Sequence, residues 1–176
     1  MTNKTNLEIE RKWMVKGWPS IDLPLLFTEE MRQGYISTHP TVRIREENTI
    51  FSNTKDKPLK DSFVLCFKSS GTLTRKEIEM EIEQDKFKDL EDLIHLPLIN
   101  KVRNTYLLED GNHLEVNHVD EGLPSEFWYA EIEFPSEEVA LSFNPENVQL
   151  EDYLVDDVTN QPSQSMAAYW EQTRKS

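Results

Sequence analysis

Leu7-Glu8-Ile9-Glu10-Arg11-Lys12-Trp13-Met14-Val15 opens the patterned part of the chain. In an extended strand successive side chains point to opposite faces, so Glu8, Glu10 and Lys12 share one face while Leu7, Ile9, Trp13 and Val15 share the other. One face is ionic and the other mostly apolar. Two acids and a base at strict two-residue spacing are weak evidence alone, but the device recurs. Arg43 and Arg45 flank Ile44, and Glu77, Glu79 and Glu81 alternate with Ile78 and Met80. Lys101 and Arg103 flank Val102, Glu115 and Asn117 flank Val116, and Glu131 and Glu133 flank Ile132.

The segments between these stripes supply the turns. Lys16 to Leu26 holds Gly17, Pro19 and Pro24 and predicts an irregular crossing, followed by short helix or loop over Phe27 to Arg32. Gln33 to Ser37 and Thr41 to Glu46 predict a hairpin turning at His39-Pro40, and Asn48 to Asp61 an exposed loop in which Lys55, Lys57 and Lys60 are solvated. Ser62 to Ser69 and Leu73 to Glu83 predict a second hairpin across Ser70-Gly71-Thr72. Phe87, Leu90, Leu93 and Ile94 then recur at helical spacing, so Asp85 to Leu96 predicts an amphipathic helix stopped by Pro97. A third hairpin turns at Asp110-Gly111-Asn112, and Phe127 to Phe134 is the last long strand. Ser136 suits the N-cap of a short helix, Tyr153 to Val158 a short edge strand, and Ser165 to Arg174 a terminal helix.

About eight strands in hairpins with three short helices imply an α+β architecture, an antiparallel sheet or barrel, in one domain spanning residues 1–176. With 37% hydrophobic residues, a chain of this length can bury a real core. The 33 acids against 19 Lys and Arg give a formal charge of −14, which repels nucleic-acid backbones at long range and argues against that class of partner. The lone Cys66 has no internal disulfide partner and lies in an apolar run, where a buried inert thiol is expected. No signal-like or membrane-length apolar segment is evident, so the expectation is a cytoplasmic, soluble protein.

A solvated sheet face is the commoner home for charged stripes. Two features favour an enclosed one. The opposite faces carry enough apolar residues, among them Ile9, Trp13, Ile44, Phe67, Ile78, Met80 and Ile132, to need cover from helices. The charges are also sorted: Lys12, Arg43, Arg45, Lys68, Lys101 and Arg103 come from different strands and can wrap a phosphate chain, while the neighbouring carboxylates can hold Mg²⁺ or Mn²⁺.

Glu8-Ile9-Glu10-Arg11-Lys12 resembles the Glu-x-Glu-x-Lys signature of the CYTH superfamily, the triphosphate tunnel metalloenzymes, in its short bacterial form. Gln33-Gly34-Tyr35, Arg43-Ile44-Arg45, Lys68, Glu77 to Glu81, Lys101-Val102-Arg103 and Ala130 to Glu133 follow that family's later motifs in order, so the resemblance runs from about Leu7 to Phe134. It implies an eight-stranded antiparallel β-barrel forming a tunnel with a charged lumen and helices outside. It further implies that Lys12, Arg43, Arg45, Lys68, Lys101 and Arg103, with Arg75 as helper, bind the phosphates of a small triphosphate. Glu8, Glu10, Glu131 and Glu133 would bind Mg²⁺ or Mn²⁺, and Glu8, Glu10 and Lys12 would form the catalytic group. Glu77, Glu79, Glu81 and Glu115 would orient the bases or add metal ligands, with Tyr35 close to Lys12.

The chain departs from the family pattern at Asn117, where short bacterial relatives often carry Asp, and in the tail Asn160 to Ser165, which lacks the bases and tyrosine expected there. The activity so implied is hydrolysis of inorganic tripolyphosphate. Thiamine or nucleoside triphosphates, cyclisation of ATP, and non-catalytic polyphosphate binding remain open alternatives. A homodimer is compatible with the sequence but not demanded by it. The four histidines and four tryptophans are expected to serve in turns and packing.

Overall fold

Strands with one ionic and one apolar face must place the two faces in different surroundings, and closing the sheet on itself does this without leaving an edge. A computed structural model describes residues 6–176. Its strands are β1 (Leu7–Val15), β2 (Leu25–Thr38), β3 (Thr41–Ser52), β4 (Asp61–Lys68), β5 (Thr74–Glu81), β6 (Ile99–Leu107), β7 (His113–Val119), β8 (Phe127–Glu133) and the two-residue β9 (Asp156–Asp157). Hydrogen-bonded neighbours run β5-β4-β3-β2-β6-β7-β8-β1, all antiparallel, and β1 returns to β5. The result is a closed eight-stranded barrel, as expected.

β1 makes the closure. Its first residues, Leu7 to Ile9, pair with Lys76 to Thr74, while Glu10 to Val15 pair with Glu133 to Trp128. Where β1 leaves β5, β9 covers the freed edge at Trp13 and Met14.

The apolar faces point out, and most of them are roofed. Ile9, Trp13, Val116 and Ile132 pack with Ala140 of α2 (Glu137–Ser142) and with Val148 and Leu150 beyond it. Ile44 packs in a second cluster with Phe87 of α1 (Gln84–Ile94) and Trp170 of α3 (Met166–Arg174). Each large side chain fully buried in this way contributes about 1.5–3 kcal/mol. Ser136 caps α2 by accepting from the Val139 N–H at 3.2 Å, and Ser165 caps α3 by accepting from Ala168 N–H at 3.1 Å. His95 ends α1 in the left-handed region at φ 55°.

Gly34 sits on the outer face beneath α1 and α3. A Cβ there would lie 2.5 Å from Leu98 Cδ2 and 3.2 Å from Ile94 Cδ1, so a larger residue would have to displace the Leu98 side chain packed over it.

The structure departs from expectation in three places. Phe27 to Arg32 is neither helix nor loop but part of the 14-residue β2. The sequence hides this because Glu29 points inward, against the usual polar-out alternation, and a bulge between Thr28 and Glu29 shifts the register. β3 likewise continues to Ser52, into the expected loop, because the early part of β2 offers it a partner. Helices do not cover the whole outer surface: Phe67, Ile78 and Met80 on β4 and β5 are 38–43% exposed. Among the described residues no helix is long and apolar enough to cross a membrane.

Candidate active site

With the apolar faces outside, the ionic stripes meet in the lumen. They line a cavity of about 880 Å³. Glu8, Glu10, Lys12, Tyr35, Arg43, Arg45, Lys68, Arg75, Glu77, Glu79, Lys101, Arg103, Glu115, Glu131 and Glu133 all reach its wall, although they come from all eight strands of the barrel. Glu81 does not. It ends β5 in solvent, 3.9 Å from Lys60, and takes no part in the wall.

Carboxylates crowd where β1 passes between β5 and β8. Glu10 and Lys12 stand opposite Glu133 and Glu131 in register. Lys68 Nζ lies 2.8 Å from Glu8 Oε1 and 2.9 Å from Glu77 Oε2, and Arg75 Nη2 lies 3.1 Å from Glu8 Oε2 and 2.7 Å from Glu10 Oε1. These cations do not discharge the cluster. Burial, then Glu131 and Glu8, push the Glu10 carboxyl up to about 8. Burial and the acids Glu8, Glu115 and Glu77 raise Glu133 as well. Burial would also raise Glu131, but Lys12, Arg103 and Lys101 outweigh it and hold that carboxyl low.

The donor set of Glu8, Glu10, Glu131 and Glu133 is all carboxylate oxygen with surplus negative charge, which fits a hard divalent cation.

Bases dominate the wall formed by β3 and β6. Arg43 and Arg45 alternate inward, each with Nη2 3.8 Å from Glu79 Oε2. Arg45 Nε donates to Glu47 Oε1 at 2.5 Å. Arg103 donates from Nε to Asn117 Oδ1 at 2.9 Å and from Nη1 to Glu115 Oε2 at 3.0 Å. Asn117 thus serves as a neutral brace for Arg103, and its amide orients the guanidinium without competing with a bound anion for charge.

Two buried lysines lack a carboxylate within ion-pair distance among the described residues. Lys101 Nζ donates to the Tyr129 hydroxyl at 3.0 Å, and Lys12 Nζ donates to the Gln164 carbonyl at 2.7 Å while lying 4.0 Å from the Tyr129 ring centroid. Burial lowers the pKa of both, in Lys101 with the help of Arg103 and Arg45. A polyanion entering the lumen meets these two cations without first displacing a carboxylate.

Several participants escape sequence reasoning. Tyr129, not Tyr35, is the tyrosine against Lys12; Tyr35 accepts a hydrogen bond from Gln33 Nε2 at 3.1 Å instead. Its signal was present, since Tyr129 is in phase with Glu131 and Glu133. Cys66 faces the lumen rather than an apolar layer, its Sγ within 4.8 Å of Glu77 and Glu79 oxygens, and burial pushes the thiol up. Lys57 is not a solvated loop residue, for its ammonium lies 2.5 Å from buried Glu29. Lacking the expected bases and tyrosine, the tail still lines the cavity from Val158 to Ala168, and it holds Lys12 through a backbone carbonyl that sequence cannot reveal.

No family model matches the sequence. The inorganic triphosphatase of Nitrosomonas europaea is 32% identical over 142 residues, covering 78% of this chain and 83% of that protein. The chain belongs to the CYTH superfamily of triphosphate tunnel metalloenzymes. A crystal structure of an inorganic triphosphatase superposes on this tunnel domain with a TM-score of 0.58 at 25% identity, covering 92% of this chain and 93% of the other. A protein from Pyrococcus horikoshii shares the fold at TM-score 0.51 and 21% identity, over 82% of this chain and 86% of its own. The tunnel of the CYTH proteins is thus the same object as the charged lumen described above.

Proposed function

We propose that this protein hydrolyses a terminal phosphoanhydride of inorganic tripolyphosphate with the aid of Mg²⁺ or Mn²⁺. The observation that carries the proposal is the pairing, inside one cavity, of a carboxylate cluster with Lys12 and Lys101, which have no carboxylate partner among the described residues. A triphosphate with a divalent cation supplies both missing charges. The 32% identity to an inorganic triphosphatase supports the same substrate.

In this reading Arg43, Arg45, Lys68, Lys101 and Arg103 hold the phosphate chain, with Arg75 assisting from its place between Glu8 and Glu10. Lys12 binds the phosphoryl group to be transferred and stabilises the charge that grows on it. Glu79 and Glu115 orient the guanidiniums, and Glu77 holds Lys68. A divalent cation held by Glu8, Glu10, Glu131 and Glu133 would neutralise phosphate oxygens and acidify a water molecule. Water attacks the terminal phosphorus, the bridging P–O bond breaks towards pyrophosphate, and Glu8, Glu10 or Glu131 accepts the proton of the attacking water. Orthophosphate and pyrophosphate leave. A soluble, cytoplasmic setting suits such a substrate and the single thiol.

Phosphate release from purified protein, with tripolyphosphate, thiamine triphosphate and ATP compared in each metal and cyclic AMP assayed alongside, tests this. Fast release from tripolyphosphate that a chelator abolishes is expected. Release only from an organic triphosphate, formation of cyclic AMP, or binding without turnover would each refute it.

A further inference from the structure

Glu29 lies on β2 with its carboxylate 3% exposed, and it stands opposite Arg103 in the β2–β6 register. Glu47 on β3, its carboxylate 12% exposed, holds Arg45. Both acids point into the barrel from outside the carboxylate cluster of β1, β5 and β8, and neither borders the main cavity. Left alone they would draw Arg45 and Arg103 away from a bound anion, because a carboxylate in a buried site attracts a guanidinium strongly.

The loop between β3 and β4 answers this. Lys57 reaches from that loop to the barrel end, with Nζ 2.5 Å from Glu29 Oε1, 4.0 Å from Glu47 Oε2 and 5.3 Å from the Phe27 ring centroid. Among the described residues it is the cation within ion-pair distance of Glu29. Its side chain remains 32% exposed, so water still reaches the ammonium that meets Glu29.

From this geometry we infer that Lys57 is a positioning residue for the phosphate-binding arginines: by neutralising Glu29 and Glu47 from behind, it leaves Arg45 and Arg103 oriented yet free to bind triphosphate. The inference rests on the hydrolase reading for its assay but concerns a different set of residues. The pairing was invisible in sequence because it joins three positions that share no motif.

The test compares four proteins: wild type, Lys57→Met, Lys57→Arg, and Lys57→Met combined with Glu29→Gln. Removing Lys57 alone leaves both acids to compete with substrate, so KM for tripolyphosphate should rise about tenfold with kcat little changed, the pattern of lost uniform binding. Lys57→Arg keeps the charge and should restore KM. The double variant removes one acid together with its counter-charge and should recover most of the loss, which a purely structural role for the loop would not allow.

Unchanged KM in Lys57→Met overturns the inference, as does a folded double variant that recovers nothing. Should Lys57→Met fail to fold, the charge-neutral double variant decides alone: KM near wild type supports the inference and a tenfold rise refutes it. Wild-type protein that releases no phosphate refutes the hydrolase reading instead. The role of Lys57 is then read from the dissociation constant of tripolyphosphate measured by calorimetry on the same proteins, with the same expected ratios.

Discussion

Glu10 and Glu47 are both inward-facing glutamates of one barrel, and the protein pushes them in opposite directions. Glu10 rises to about 8, because burial and the neighbouring Glu131 and Glu8 outweigh Lys68 and Arg75. For Glu47 burial also acts upward, but Arg45, Lys57 and Arg103 outweigh it and bring the carboxyl down to about 2. Burial acts on both, so the difference lies in the sign of the company each keeps. One part of the wall is short of positive charge and suits a cation; the other is already neutralised and can present arginines to an anion.

The sharpest way to break this contrast is Arg45→Ala, which removes a proposed phosphate ligand and the main partner of Glu47 together. A loss of about 1000-fold in tripolyphosphate hydrolysis is expected, with circular dichroism unchanged. Retained turnover would take Arg45 out of the site.

Glu47→Gln tests the neutralised side through stability. A carboxyl held at about 2 against an ordinary 4.5 stabilises the fold above pH 4.5, and that contribution disappears as the pH falls through 2. Wild type should therefore lose about 3 kcal/mol across this window that Glu47→Gln does not. Parallel acid-unfolding curves for the two proteins would contradict the assignment.

Mg²⁺ tests the other side. At about 100 times its dissociation constant it should add about 2.7 kcal/mol to the stability of the wild type, seen as a raised Tm. Glu10→Gln should lose most of that increment while folding normally without metal. An equal rise in both proteins would place the ion elsewhere.

Gly34→Ala leaves every lumen charge in place and disturbs only the outer wall, where the new Cβ meets Leu98. A cost of about 1–3 kcal/mol is expected, with Glu47→Gln and Mg²⁺ effects preserved in the variant background. If those effects vanish, wall geometry rather than neighbouring charge sets the contrast.

The alternation of Glu8, Glu10 and Lys12, repeated from Arg43 to Glu133, was enough to place most strands, the hairpins and the sorting of charge, because side-chain direction in a strand is a local property with period two; it missed the first half of β2 and the end of β3, where no such stripe runs. The cap at Ser136 was legible for the same reason, since capping involves only a few neighbouring residues. Closure of the barrel, with β1 divided between β5 and β8, was decided only in three dimensions, as were Tyr129 against Lys12, the Gln164 carbonyl on that lysine and Lys57 on Glu29. These contacts join residues far apart in the chain, and one of them uses a backbone atom every residue possesses. The opposite fates of Glu10 and Glu47 belong with them, because a field summed over several strands exists only once those strands have met.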